Sequence, residues 1–269
     1  MAIVSAFLMP GNPLPFLQRG NPPWGIIADG AVRAAAALAA SNPDVLLIYS
    51  TQWIAVLDQL WQARPHSTGL HVDENWYEYG ELMMDVRADV DLAQACIAAA
   101  TAAGIRSKAV DYDQFPIDSG TIVANGFLNP DACIQTVIAA NNLYHDFAGT
   151  EQLGRIAAEQ AALQGKRAAV IAVGGLSASY FDHDIDIAGD RIVNAADDAA
   201  NLALLEAMTQ GSDALRAGLP AYNAATKGDM GMKHLGWLLG GTGGFQGATV
   251  HAYGATYGAG AAVVEFHLG

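Results

Sequence analysis

Short apolar runs rich in β-branched residues recur along this chain, separated by long Ala-rich stretches of helical spacing, and that alternation leaves few folds open. The runs Val45-Leu46-Leu47-Ile48 and Ala169-Val170-Ile171-Ala172-Val173 carry no polar residue, the pattern of strands covered on both faces. Strands are expected at 2–8, 45–50, 107–111, 133–139, 168–174, 249–255 and 261–267. Helices are expected at 25–40, 89–103, 150–164, 195–209 and 230–239. The first helix should stop ahead of Asn42-Pro43, because the residue before a proline disfavours the helical region. Thr150-Glu151-Gln152 offers a capped start with an acidic first turn. The expected architecture is α/β, one domain over residues 1–269, with a mixed central sheet flanked by helices on both sides.

Composition removes several function classes. Thirteen Lys and Arg stand against 27 Asp and Glu, a net charge of 13 − 27 = −14, which argues against a nucleic-acid partner. Hydrophobic residues make up 52% and charged ones only 15%, so disorder is excluded, and a surface this poor in charge suggests a subunit interface. Residues 235–264 contain no charged side chain, yet nine of them are glycine, which opposes a membrane span. The N-terminus lacks a basic region and meets Pro10, so it reads as a strand rather than a signal peptide. Cys96 and Cys133 have no metal spacing, and two isolated thiols point to a cytoplasmic setting.

Ligands of α/β folds sit at the carboxyl ends of strands, and the segments after the expected strands are unusual. The first is the Pro-rich connection 9–24; others are Ser50-Thr51-Gln52-Trp53, Asp118-Ser119-Gly120 and Gly174-Gly175-Leu176-Ser177-Ala178. Gly175-Leu176-Ser177-Ala178-Ser179 resembles a nucleophile elbow but has serine where its second glycine belongs, so a plain turn is the better reading. The glycines of 240–247 are out of register for a dinucleotide site and read as a hairpin-like connection. Asp182, His183, Asp184 and Asp186 offer metal donors, although a solvated loop is favoured. Asp73-Glu74-Asn75-Trp76-Tyr77-Glu78-Tyr79 is either a lid or partner surface, or a polar edge with buried rings. Composition and spacing alone therefore stop at a soluble α/β domain without a complete catalytic constellation.

Taken in order, the rim segments resemble the class III extradiol ring-cleavage dioxygenases, the superfamily of the protocatechuate 4,5-dioxygenase catalytic subunit. That family holds a non-haem Fe(II) with two histidines and a glutamate. Its P-H-P-P motif matches Pro10-Gly11-Asn12-Pro13, and its S-P-H-W motif matches Ser50-Thr51-Gln52-Trp53. Its G-H-E-x-x-x-W helix matches Gly231-Met232-Lys233-His234-Leu235-Gly236-Trp237. Two further family histidines, in D-H-G and G-G-L-S-H, fall at Ser119 and Ala178. The resemblance thus implies a vestigial pocket at Gly11, Gln52, Ser119, Ala178 and Lys233, with no catalytic or metal-binding residue in this chain. Glycine offers no ligand, an amide is a weak one, and an ammonium repels Fe(II) while replacing some of its charge beside a carboxylate. With Ser119 and Ala178, no imidazole remains to move a proton.

The match is most similar to the non-catalytic alpha chains of heteromeric members that open aminophenol rings. It implies a homologous catalytic beta subunit carrying the Fe(II), in a heterotetramer of two alpha and two beta chains. Two alternatives remain at this point: a stand-alone small-molecule-binding protein, and an enzyme with a metal site rebuilt near Asp182–Asp186.

Overall fold

The computed structural model describes residues 2–269. The elements run β1 (Ile3–Met9), α1 (Leu14–Leu17), α2 (Pro22–Ser41), β2 (Val45–Ala55), β3 (Gln59–Gln62), β4 (His66–His71), β5 (Leu82–Arg87) and α3 (Val90–Ala102). They continue through β6 (Ser107–Val110), α4 (Ser119–Leu128), β7 (Gln135–Asn142), α5 (Phe147–Leu163), β8 (Ala168–Val173), α6 (Ala195–Thr209), α7 (Ser212–Ala225), α8 (Lys233–Thr242), β9 (Gly247–Thr256) and β10 (Ala259–His267).

Eight strands form one sheet in the order β6-β3-β7-β2-β8-β1-β10-β9, and β4 and β5 pair as a separate antiparallel hairpin. The centre is parallel: β7, β2, β8 and β1 all run the same way. β10 and β9 add antiparallel strands at one side. The expected mixed sheet with helices on both faces is what the chain builds.

Alternation along the strands divides the core in two. Val45, Leu47 and Tyr49 of β2 and Val170 of β8 face α3, α5, α6 and α8. Leu46 and Ile48, with Ile171 of β8, face α2 and α4. Each fully buried aliphatic side chain here contributes roughly 1.5–3 kcal/mol of transfer free energy. Trp237 of α8 stacks on Tyr49 at a centroid distance of 5.7 Å and donates its Nε1–H to the Leu47 carbonyl at 3.3 Å.

Several expectations need correction. α5 begins at Phe147 rather than Thr150, because Asp146 accepts the Gly149 amide at 2.7 Å and caps the helix three residues earlier. The connection 9–24 is not a single loop: α1 lies within it and Trp24 already belongs to α2. Gly240 and Gly241 belong to α8 instead of a hairpin-like connection. A Cβ at Gly240 would overlap the Glu151 carbonyl, so the glycine lets α5 and α8 close on each other. β3, β4, β5, α1, α4 and α7 were not expected.

Candidate functional site

β1, β2, β7 and β8 end at one rim, and β2 is irregular there. Ser50 lies opposite Ala140 while Ile54 lies opposite Asn141, so Thr51, Gln52 and Trp53 leave the ladder with β7. Such a slip bends a strand and re-aims its side chains. Asn141 fixes it, donating Nδ2 to the Thr51 carbonyl at 3.0 Å while its Oδ1 accepts from the Tyr49 hydroxyl at 2.9 Å.

α4 starts against this slip. Asp118 caps it, its Oδ1 accepting from the Thr121 amide at 3.0 Å and from the Ser50 hydroxyl at 2.5 Å. Gly120 follows because a Cβ would stand 2.9 Å from Ser50 Oγ and 3.1 Å from Gln52 Oε1. A Cβ on Gly11 would lie 3.0 Å from Gln52 Nε2 and 3.5 Å from Gly120 Cα. Gly11, Gln52 and Gly120 therefore lie against one another.

Ser119 is buried and turns to the β4–β5 hairpin. Its hydroxyl donates to Asp73 Oδ2 at 2.5 Å and lies 2.8 Å from His71 Nε2. A hydroxyl has one proton, and with that proton donated to Asp73 the Ser119 oxygen can only accept from His71 Nε2–H. The rim does carry an imidazole: β4, a strand not foreseen, brings His71 within hydrogen-bond reach of Ser119.

Gln52, His71, Asp73, Asp118 and Ser119 line a cavity of about 450 Å³, and Gly11 is not among its lining residues. Trp53 and Phe115, with ring centroids 6.0 Å apart, and Trp76 give it aromatic walls. Asp73, Glu74, Asp118 and Asp229 line it as well, with no lysine or arginine among the lining residues. Residues 73–76 of the segment 73–79 therefore form a cavity wall, with Asp73 buried, while Tyr77 beyond them is exposed.

At α8 the motif match and the geometry part. Met230, Gly231 and Met232 have φ of 45°, 67° and 59°, three successive left-handed residues that turn the chain before the helix. That turn presents Asp229 to the cavity, where its Oδ2 accepts from Thr51 Oγ1 at 2.7 Å and the Gly175 amide at 2.8 Å. Lys233 does not line the cavity. Its Nζ donates to the Asn142 carbonyl at 2.7 Å, it pairs with no carboxylate among the described residues, and burial lowers its pKa. The expected ammonium beside a carboxylate is thus a lysine bound to backbone. His234, fully buried, has no hydrogen-bond partner among the described residues for either ring nitrogen, and burial pushes its pKa down to about 4, partly opposed by the Asp229 charge.

Ala178 also lies off the cavity. It is exposed, and its amide is held at 3.4 Å by the Lys227 carbonyl. Neighbouring Ser177 donates to Asn201 Oδ1 at 2.9 Å and Ser179 to Asp197 Oδ2 at 2.6 Å, so neither serine has a histidine to activate it. Asp182, His183, Asp184 and Asp186 stand on a loop ahead of α6, where Asp186 accepts the Ala188 amide at 3.2 Å within its own turn. No group of three His, Cys, Asp or Glu converges as a metal cage among the described residues, and this loop is no exception. At the two rim positions that match the family's histidine ligands, Gly11 offers no side-chain donor and Gln52 only a neutral amide, a pair that does not fit Fe(II).

A family model described as the catalytic LigB subunit of aromatic ring-opening dioxygenase matches residues 18–266, leaving Pro10-Gly11-Asn12-Pro13 ahead of the matched span. The 2-aminophenol 1,6-dioxygenase alpha subunit of Pseudomonas sp. is 51% identical over 271 residues, covering 100% of both chains. The 2-aminophenol 1,6-dioxygenase beta subunit of Pseudomonas sp. is 27% identical, covering 99% of this chain and 94% of that one. The crystal structure of the uncharacterized protein JW3007 from Escherichia coli K12 superposes with a TM-score of 0.62 at 16% identity, over 88% of this chain and 92% of that one, a likeness of fold.

Proposed function

The chain belongs to the family of the catalytic LigB subunit of aromatic ring-opening dioxygenases, and on that premise we propose that it is a non-catalytic alpha-type subunit of a heteromeric dioxygenase that opens aminophenol rings. One observation carries the reading: in a chain alike over its whole length to an alpha subunit, the rim holds Gly11 and Gln52, a set unfit for Fe(II). Gly11, Gln52, Ser119, Ala178 and Lys233 are the positions at which the family's ligands and acid–base groups have been lost.

In this proposal the Fe(II) resides in a homologous beta-type chain, and this chain stabilises it by covering apolar surface. Exposed Ile54, Val56, Leu57, Leu143 and Tyr144 are consistent with surface awaiting cover. The assembly is a heterotetramer of two chains of each kind. A cytoplasmic setting belongs to the same proposal, supported by two free cysteines. Among the described residues no helix is long and apolar enough to cross a membrane.

Co-expression with the beta-type homologue from the same source tests the reading. The expected result is one complex of equal chain stoichiometry, with ring-opening activity and iron equimolar to the beta-type chain. Two chains that elute separately, with the beta-type chain fully active alone, overturn it.

A further inference from the structure

We propose that the sheet edge at β9, with the flank of α2 beside it, is where two copies of this chain join, β9 against β9 across a two-fold axis. The contact is between like chains and does not rest on the beta-type partner proposed above.

The two edges of the eight-stranded sheet are built differently. β6 has four residues, and Lys108 within it and Arg106 ahead of it, both exposed, pair with Asp58. A short edge strand bearing charge is a poor template for another strand. β9 has ten residues, none of them Asp, Glu, Lys, Arg or Pro. The Arg33 guanidinium on the His251 carbonyl is, among the described residues, the only hydrogen bond that reaches the 247–256 backbone from outside the β9–β10 ladder. A long, uncharged edge of this kind is self-complementary, because an antiparallel copy of the same strand satisfies both edges at once.

α2 selects which strand the edge accepts. Gly30 lets the helix settle on β9, since a Cβ there would fall on Ala252 and stand 3.2 Å from its amide nitrogen. Arg33 then reaches the edge carbonyl, so Ile26, Asp29 and Arg33, at i, i+3 and i+7, share the flank that overlooks the edge. Ile26 is 55% exposed. Asp29 and Arg33 are also exposed, and neither has an ion-pair partner among the described residues. Ile27 lies beside Gly254 and Arg33 beside His251, so α2 runs antiparallel to β9. A two-fold axis normal to the sheet brings the two β9 strands to about 4.8 Å and sets the two α2 helices antiparallel at about 10 Å. Asp29 of one copy then faces Arg33 of the other, twice over, and Ile26 is covered by the facing helix. An unrelated strand would meet the edge but not this charge pair.

Sedimentation velocity of the purified full chain at tens of micromolar tests this, with hydrogen exchange to place the contact. A dimer is expected, its 247–256 amides protected. Asp29→Arg opposes two arginines while leaving Arg33 on the His251 carbonyl, and should weaken the dimer about 10-fold or more. Adding Arg33→Asp reverses both charges and should recover association, which the repair of a folding defect would not explain. Ile26→Lys, at a side chain exposed in the lone chain, is a further variant that should weaken the dimer. A chain that stays monomeric alone, including one that pairs only with the beta-type homologue, overturns the proposal. So does a dimer whose 247–256 amides exchange freely, or an Asp29→Arg chain that dimerises as tightly as wild type.

Discussion

α4 and α8 both begin at the cavity rim, and they are anchored by different parts of themselves. α4 is anchored by its first turn, where Asp118 joins the Thr121 amide to the Ser50 hydroxyl. α8 has no side-chain cap and enters through three left-handed residues, a start that is strained where methionine occupies it. Its body holds it instead. Gly236 and Gly240 let its backbone approach Phe147 and Glu151 of α5, and Gly154 of α5 does the same against Trp237. A helix clamped along its length can have its first turn redrawn, whereas a helix clamped at its cap cannot. Asp118 accordingly lines the cavity from the α4 cap, and ahead of α8 the cavity is lined by Asp229 and not by Lys233.

The largest expected effect comes from breaking the α8 clamp. A Cβ in Gly240→Ala would fall on the Glu151 carbonyl, so one helix must move, at a cost of about 3–5 kcal/mol. Thermal unfolding should show a drop on the order of 10 °C or more. Asp118→Ala comes next. It removes a cap and strips Ser50 of its acceptor, for about 2–3 kcal/mol in denaturant unfolding, with Asp118→Asn recovering part.

The third effect is a pH dependence at α8. His234 is neutral in the fold down to about 4, whereas the unfolded imidazole takes up its proton near pH 6.5 or so. Stability supplied by the neutral ring is therefore full above that value and lost as pH falls through the interval to about 4. The slope should approach ~1.4 kcal/mol per pH unit, and His234→Leu should flatten it. The smallest effect is a gain. Met230 is exposed with φ of 45°, so Met230→Gly should stabilise by about 0.5–1 kcal/mol, read as a higher denaturant midpoint.

How much of this was legible in the sequence depended on how far apart the interacting residues lie. The centre of the sheet was readable because β2 and β8 are buried on both faces and carry unbroken apolar runs. α4 was not, because Thr121-Ile122-Val123 reads as a strand and its cap is satisfied partly by Ser50, far away in sequence. β3 has only four residues, and β4 is too polar to register as a strand. At the site, Gly11, Gln52 and Gly120 are near one another because each sits at a strand or helix end on one rim. The motif order missed His71 and Asp73, which reach Ser119 only through the hairpin fold. It also misplaced Lys233 relative to the cavity, because spacing from Trp237 fixes a helical position but not the left-handed turn that aims the residues before it.

In the proposed reading this rim does not sustain ring opening. The most direct measurement is iron content and 2-aminophenol turnover of the purified chain alone after anaerobic loading with Fe(II). Iron far below one equivalent and no ring-opened product are expected, with the fold intact by circular dichroism. One equivalent of bound iron together with product formation by the isolated chain would contradict it.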